Sequence, residues 1–173
     1  MQYPTWAAGQ RVTAAGLASI TPPVAYKSAD QTIASSTTNV NDNHLVQSCA
    51  ANAIFVVTGF LLYSAHQDAD IKMGWTGPSG ATFSWIAHAS TQSQTGGIAS
   101  SGVVVDRQSI GASSFPLGGF GAENTTYMTA TLMGTLVTSS TAGALQLNWA
   151  QRVSNATGSI MRTGSWLRLE RIS

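Results

Sequence analysis

The 173-residue sequence predicts an all-β fold. Strand-like runs recur from Val24 onward with turn signals between them, several runs alternate with period two, and no stretch sustains helical periodicity. Turn punctuation falls at Asn39–Asn43, Gly77-Pro78-Ser79-Gly80, Gly96-Gly97, Gly118-Gly119 and Thr141–Gly143. That spacing points to two packed antiparallel sheets, a sandwich of the jelly-roll type.

Residues 1–23 differ from the rest and read as an arm, leaving 24–173 as the sandwich domain. The arm carries Tyr3, Trp6, Val12, Leu17 and Ile20 among Ala, Gly and Thr. A short helix is expected over Thr13–Ser19, with Thr13 as N-cap and Gly16 weakening it. Pro22-Pro23 impose an extended exit. Apolar side chains on a lone arm need a partner, and two remain open: this domain's own sheet, or a neighbouring subunit.

Strands are expected at Val24–Lys27, Gln31–Ser35, Leu45–Ser48, Ala53–Ala65, Asp70–Trp75, Ala81–Ala87, Gly102–Asp106, Thr126–Thr138, Leu145–Val153 and Ser165–Ile172. In Leu145–Val153 the residues Leu145, Leu147 and Trp149 share a face, opposite Gln146, Asn148 and Ala150. In Ser165–Ile172, Trp166 and Ile172 bracket Arg168 and Glu170 on one face, opposite Leu167 and Leu169; this final run is expected to be a strand inside the fold. Ser90–Asn124, rich in Ser, Gly and Gln, is expected to hold one strand and two long loops.

Two strands are apolar on both sides. Ala53–Ala65 places Ile54, Val56, Phe60 and Leu62 opposite Phe55, Val57, Leu61 and Tyr63. Thr126–Thr138 sets Tyr127, Met133 and Val137 against Met128, Leu132 and Leu136. A sandwich strand needs one apolar face, because the other meets water. A second cover is therefore expected, from another subunit, from the arm, or from Gln92–Asn124.

Charged residues are only 9% of the chain, against about 25% in ordinary soluble proteins, while hydrophobic residues are 43%. Polarity comes from Ser, Thr, Asn, Gln and Gly. A net charge of +1 gives no footprint for nucleic acid, and it eases self-association by weakening repulsion. Cys49 is the lone cysteine, so no intrachain disulfide is expected; beside Ala50 and Ala51 it reads as a small buried hydrophobe. The N-terminus lacks a secretory pattern. The longest apolar stretch, Ala50–Ala65, is broken by Asn52, Thr58 and Gly59 and is too short to span a bilayer, so membrane insertion is not expected.

No catalytic constellation emerges, and neither a cofactor nor a metal is expected. His66, Asp68 and Asp70 alternate as a hard-cation site would, but a solvated turn explains them better. His44, His66 and His88 are dispersed, no G-x-S-x-G elbow occurs, and Gly118-Gly119-Phe120-Gly121 lacks the Lys and Ser/Thr of a phosphate loop. The seven carboxylates form no cluster fit for a hydrolase. Asn124-Thr125-Thr126 and Asn155-Ala156-Thr157 match the glycosylation pattern, which means nothing without a secretory route. Trp75 and Trp85 flank a Gly-Pro-Ser-Gly turn: stacking on a sugar is one reading, packing in the core the better one.

The closing segment GALQLNWAQRVSNATGSIMRTGSWLRLERIS (Gly143–Ser173) resembles the C-terminal hairpin of small jelly-roll domains of the tumour-necrosis-factor and complement-globular-head type. More closely, it resembles versions found in virion proteins of tailed phages that infect actinobacteria. The opening strands AYKSADQTIASSTTNVNDNHLVQSCAANAIFVVTGFLLYSA (Ala25–Ala65) and DIKMGWTGPSGATFSW (Asp70–Trp85) are similar to the same proteins, and WAAGQRVTAAGLASITP (Trp6–Pro22) is similar to the lead-in of phage tail and baseplate proteins. The resemblance implies a structural or binding role without catalysis, in a homotrimer closed around a threefold axis.

Residues expected at the trimer interface or in the core are Phe55, Val57, Phe60, Leu61, Tyr63, Tyr127, Met133, Leu145, Leu147 and Trp149. Tyr3, Trp6, Leu17 and Ile20 are expected to anchor the trimer to another virion subunit. The expected location is the virion, assembled in the host cytoplasm, on the tail as a minor tail or fibre protein. A capsid decoration protein, a head fibre and a receptor-recognition module contacting host glycan through Trp75 and Trp85 are the alternatives.

Overall fold

In a computed structural model the protein is described over residues 7–11, 13–14, 22–90, 103–104 and 107–173. The described residues form thirteen strands: β1 (Val24–Tyr26), β2 (Gln31–Ile33), β3 (Val40–Cys49), β4 (Ile54–Ser64), β5 (Ile71–Thr76), β6 (Thr82–Ser90), β7 (Val103–Val104), β8 (Gln108–Ser109), β9 (Phe115–Leu117), β10 (Met128–Val137), β11 (Gly143–Gln151), β12 (Ser159–Met161) and β13 (Trp166–Arg171). They form a larger sheet running β1-β13-β4-β10-β6-β7, with β2, β12 and β8 paired at its margins, and a smaller sheet of order β3-β11-β5-β9.

The pairing obeys one rule. β1 pairs β13, β2 pairs β12, β3 pairs β11, β4 pairs β10, β5 pairs β9 and β6 pairs β8, all antiparallel. The chain is thus one long antiparallel ribbon doubled back on itself. The ribbon is then rolled, so that β4 takes β13 and β12 on its second edge, β5 takes β11, and β6 takes β10. Nested pairs wound into two sheets are the jelly-roll topology that the turn spacing predicted.

The inner faces alternate as the sequence indicated. Phe55, Val57, Leu61 and Tyr63 of β4 and Leu132 and Leu136 of β10 meet Leu145, Leu147 and Trp149 of β11 in one buried cluster. Aromatic rings join the layers: Trp75 of β5 stands edge-on to Phe83 of β6 at 5.4 Å and to Trp85 at 6.0 Å, and Phe115 of β9 lies 5.1 Å from Trp85. Such contacts add to the burial of large ring surfaces. The Tyr63 hydroxyl donates to the Gly118 carbonyl at 3.0 Å, and burial, with Asp70 nearby, pushes its pKa above the usual tyrosine range.

A charged pair lies within this apolar interior. Lys27 Nζ is 2.8 Å from Asp42 Oδ2, and both side chains are fully buried. Asp42 Oδ1 accepts the N–H groups of His44 and Leu45, each at 2.9 Å. The Lys27 N–H donates to the Ser165 carbonyl at 2.8 Å, and its own carbonyl accepts Gly164 N–H at 3.0 Å. The pair therefore links the exit of β1 to the start of β3, next to the lead-in of β13.

The structure departs from the sequence reading in several places. Asn39–Asn43 is not a turn, since β3 begins at Val40. β3 is an edge strand of the smaller sheet, where polar groups find partners beside the ladder. Asn39 Nδ2 donates to Asn148 Oδ1 at 2.8 Å, Asn43 N–H donates to Gln31 Oε1 at 2.9 Å, and a bulge near Gln146/Asn148 absorbs the irregularity. The two closing strands are no hairpin: β11 lies in the smaller sheet and β13 in the larger, and β12 lies between them in sequence. Asp70 does not open β5; it turns with φ 49° while its carboxylate accepts Gly119 N–H at 2.8 Å. The expected helix over Thr13–Ser19 falls almost wholly outside the described residues.

Two predictions follow from this packing. A Cβ on Gly134, which sits between Val57 and Trp85 in the ladder, would meet Phe83 Cε2 at 2.6 Å, the Ser84 carbonyl at 2.7 Å and Trp85 Cβ at 2.8 Å. Gly134→Ala should therefore lower stability by about 1–3 kcal/mol in urea unfolding. Removing one partner of the buried pair, as in Lys27→Ala, should cost about 3–5 kcal/mol, whereas Lys27→Met with Asp42→Asn, which keeps an acceptor for the His44 and Leu45 N–H groups, should recover part of that loss, measured the same way.

Candidate interface on the outer face of the larger sheet

Strand alternation sends one set of side chains from β4, β10, β6 and β13 away from the core. Register places them in rows across the sheet. One row runs Tyr26, Trp166, Phe60, Thr131, His88; the next Val24, Arg168, Thr58, Met133, Ile86. A third runs Glu170, Val56, Thr135, Ser84, and a fourth Ile54, Val137, Thr82. Large apolar groups recur in every row but are mixed with threonine. Met133 and Tyr26 are each 57% exposed, and Val24, Val56 and Val137 are exposed beside them. None of the strands among the described residues packs over this face. Exposed apolar groups gathered on one face in this way make it a candidate for contact with a partner.

A shallow depression of about 350 Å³ opens between β4, β10 and β6, lined by Val56, Ile86, Met133 and Thr135 among others. Arg107 forms its rim, and its Nη2 donates to Ser84 Oγ at 3.0 Å. At the opposite side of the sheet Arg168 Nη2 pairs with Glu170 Oε2 at 2.8 Å.

The residues expected at an interface or in the core divide cleanly. Phe55, Val57, Leu61, Tyr63, Leu145, Leu147 and Trp149 are all buried between this chain's own two sheets. Phe60 and Met133 point outward on the candidate face. Tyr127 precedes β10, is 61% exposed and lies under the Arg162 guanidinium at 4.9 Å. Arg162 also reaches Asp30 Oδ2 at 3.0 Å, Ser64 Oγ at 3.0 Å and the Asn124 carbonyl at 2.8 Å, so it gathers several connections beside Tyr127. The Thr163 N–H, 2.7 Å from Asp30, together with Arg162 holds the Asp30 carboxyl below its ordinary range. Tyr3, Trp6, Leu17 and Ile20 lie outside the described residues.

Trp75 and Trp85 are 5% and 2% exposed, so neither ring offers a face to a sugar. The Trp85 indole N–H donates to the Ser109 carbonyl at 3.1 Å. His66, Asp68 and Asp70 form a turn in which Asp68 N–H donates to His66 Nδ1 at 3.1 Å; Asp68 is exposed and Asp70 buried, so their carboxylates diverge. Among the described residues no group of three His, Cys, Asp or Glu side chains is placed to hold a metal. Cys49 is a buried free thiol whose pKa burial raises.

Tyr26, Ile86 and Arg107 belong to the face yet were not singled out by sequence. Ile86 and Met133 become neighbours only through the β6–β10 register, and Arg107 reaches Ser84 from a connection that carries no periodic signal.

No family model matches the sequence, and no curated protein does. Among solved structures, those of infectious bursal disease virus, Gt strain and Gx strain, align with 87% of this chain at 11% identity and a TM-score of 0.18. The chain spans 42% and 40% of the length of those two chains. A likeness that slight carries no argument about this protein.

Proposed function

We propose that the protein is a non-enzymatic virion component of a tailed phage: a homotrimeric jelly roll held on the particle by its N-terminal arm. The observation that carries the reading is the outer face of the larger sheet, where Tyr26, Phe60, Val56, Ile86 and Met133 lie together on a domain whose core is already complete. Burying such surface is worth about 25 cal/mol per Å², and a stable interface removes about 800 Å² from each partner. The sparse charge of the chain supports the same reading, because few ions have to be stripped of water when copies meet. The tail is the favoured position, as a minor tail or fibre protein, on the resemblance of Trp6–Pro22 to tail lead-ins; capsid decoration or a head fibre is the second position. Trp75 and Trp85, the residues expected to contact a glycan, are buried and lend that alternative no support.

Sedimentation equilibrium tests the assembly. The wild type should sediment at three times the 18.0 kDa chain mass, and Phe60→Asp with Met133→Asp should yield a folded monomer with an unchanged circular dichroism spectrum. A wild type that stays at 18.0 kDa at micromolar concentration overturns the trimer. The arm has its own test: a chain lacking residues 1–22 should still form trimers but should not join particles when supplied in place of the full chain. Incorporation of the truncated chain removes the anchor from the account.

A further inference from the structure

We infer that the outer face closes on a second copy edge to edge, the Arg107 rim of one chain receiving Glu170 from the β13 side of the next. This rests on the reading above that copies assemble through this face. The third row of the face runs Glu170, Val56, Thr135, Ser84, and the Ser84 hydroxyl holds Arg107. One row therefore has an acid at one end and a cation at the other, with small or apolar side chains between. Three strand spacings of about 4.8 Å separate β13 from β6, so roughly 14 Å lies between the two ends. Arg107 does not pair with its own Glu170 while it keeps the bond to Ser84.

Arg107 has no carboxylate partner among the described residues, although it borders a depression walled by Val56, Ile86 and Met133. A partner group for that site brings a negative charge and tolerates aliphatic neighbours. Glu170 meets both conditions, with Val56 beside it in the ladder. Among the described carboxylates it is the one carried by a strand of this face. Asp42 and Asp70 are buried, and Asp30 is held by Arg162 and Thr163. The contact of Glu170 with Arg168 joins two half-exposed side chains, a kind of pair worth little by itself. Contact between two different edges is heterologous, and a heterologous contact that closes on itself forms a ring. The β1–β13 edge also brings Tyr26 and Val24, apolar groups suited to the rest of the depressed surface.

Charge reversal tests the pair on the full chain, read as the dissociation constant from sedimentation equilibrium. R107E and E170R should each weaken association by about tenfold or more, and the double variant R107E/E170R should return to near the wild-type value. Within one chain the two positions are too far apart to compensate each other, so recovery has to occur between copies. Should a reversal fail to fold, R107Q and E170Q replace it; each weakens association several-fold, and the double loses no more than the larger single. Unchanged association in either single variant, or a double variant that does not recover (for the neutral pair, one that loses the sum of both), overturns the ion pair and leaves the trimer standing. A wild type that is monomeric overturns the pair and the trimer together.

Discussion

The fold depends on β4 having hydrogen-bonding partners on both edges along its length. Ten residues of β10 line up against one edge, while β13 and then β12 take the other. A central strand so enclosed leaves no backbone group to water, and its alternating side chains commit one face to the core. The winding of the jelly roll follows from this. Once β4 has fixed β10 and β13, β6 has a place beside β10 and β1 a place beside β13. The buried Lys27–Asp42 pair secures the same arrangement at the margin, because it requires the end of β1 and the start of β3 to face each other from opposite sheets.

Legibility from sequence tracked strand length and exposure. β4, β10 and β11 are long enough for period two to show, and their inward residues match the alternation read from the chain. β8, β9 and β12 span two or three residues and leave no periodic trace; β9 even contains Pro116, tolerated because it lies at the edge of its sheet. β3 was half hidden because Asn41, Asp42 and Asn43 are turn-forming types, and only tertiary partners (Lys27 for Asp42, Gln31 for Asn43) make a strand of them. The candidate face was visible as a surplus of apolar positions on β4 and β10. Its shape was not, because rows across a sheet are set by register between distant segments.

The face itself shows how a nearly uncharged protein handles exposed apolar groups. Thr58, Thr131, Thr135 and Thr82 stand among Phe60, Met133, Val56 and Val137, so no row is wholly greasy. Threonine suits an extended backbone, and its hydroxyl satisfies water while the surface is open. Such a surface offers hydrogen bonds to water without dense charge. The inward face has no threonine on β4, where Phe55, Val57, Gly59, Leu61 and Tyr63 follow in turn, and that contrast separates the face that builds the core from the face turned away from it.

The position of β13 between β1 and β4 has a consequence for biosynthesis. An elongating polypeptide that has reached only β11 already contains β4 and β10 but lacks the segment that covers the other edge of β4. Until residues 166–171 clear the ribosome exit tunnel, the most apolar ribbon of the molecule presents open N–H and C=O groups to sibling chains on the same messenger. Closure of this edge of β4 therefore waits for β13, which is synthesised after the other described strands of the sheet.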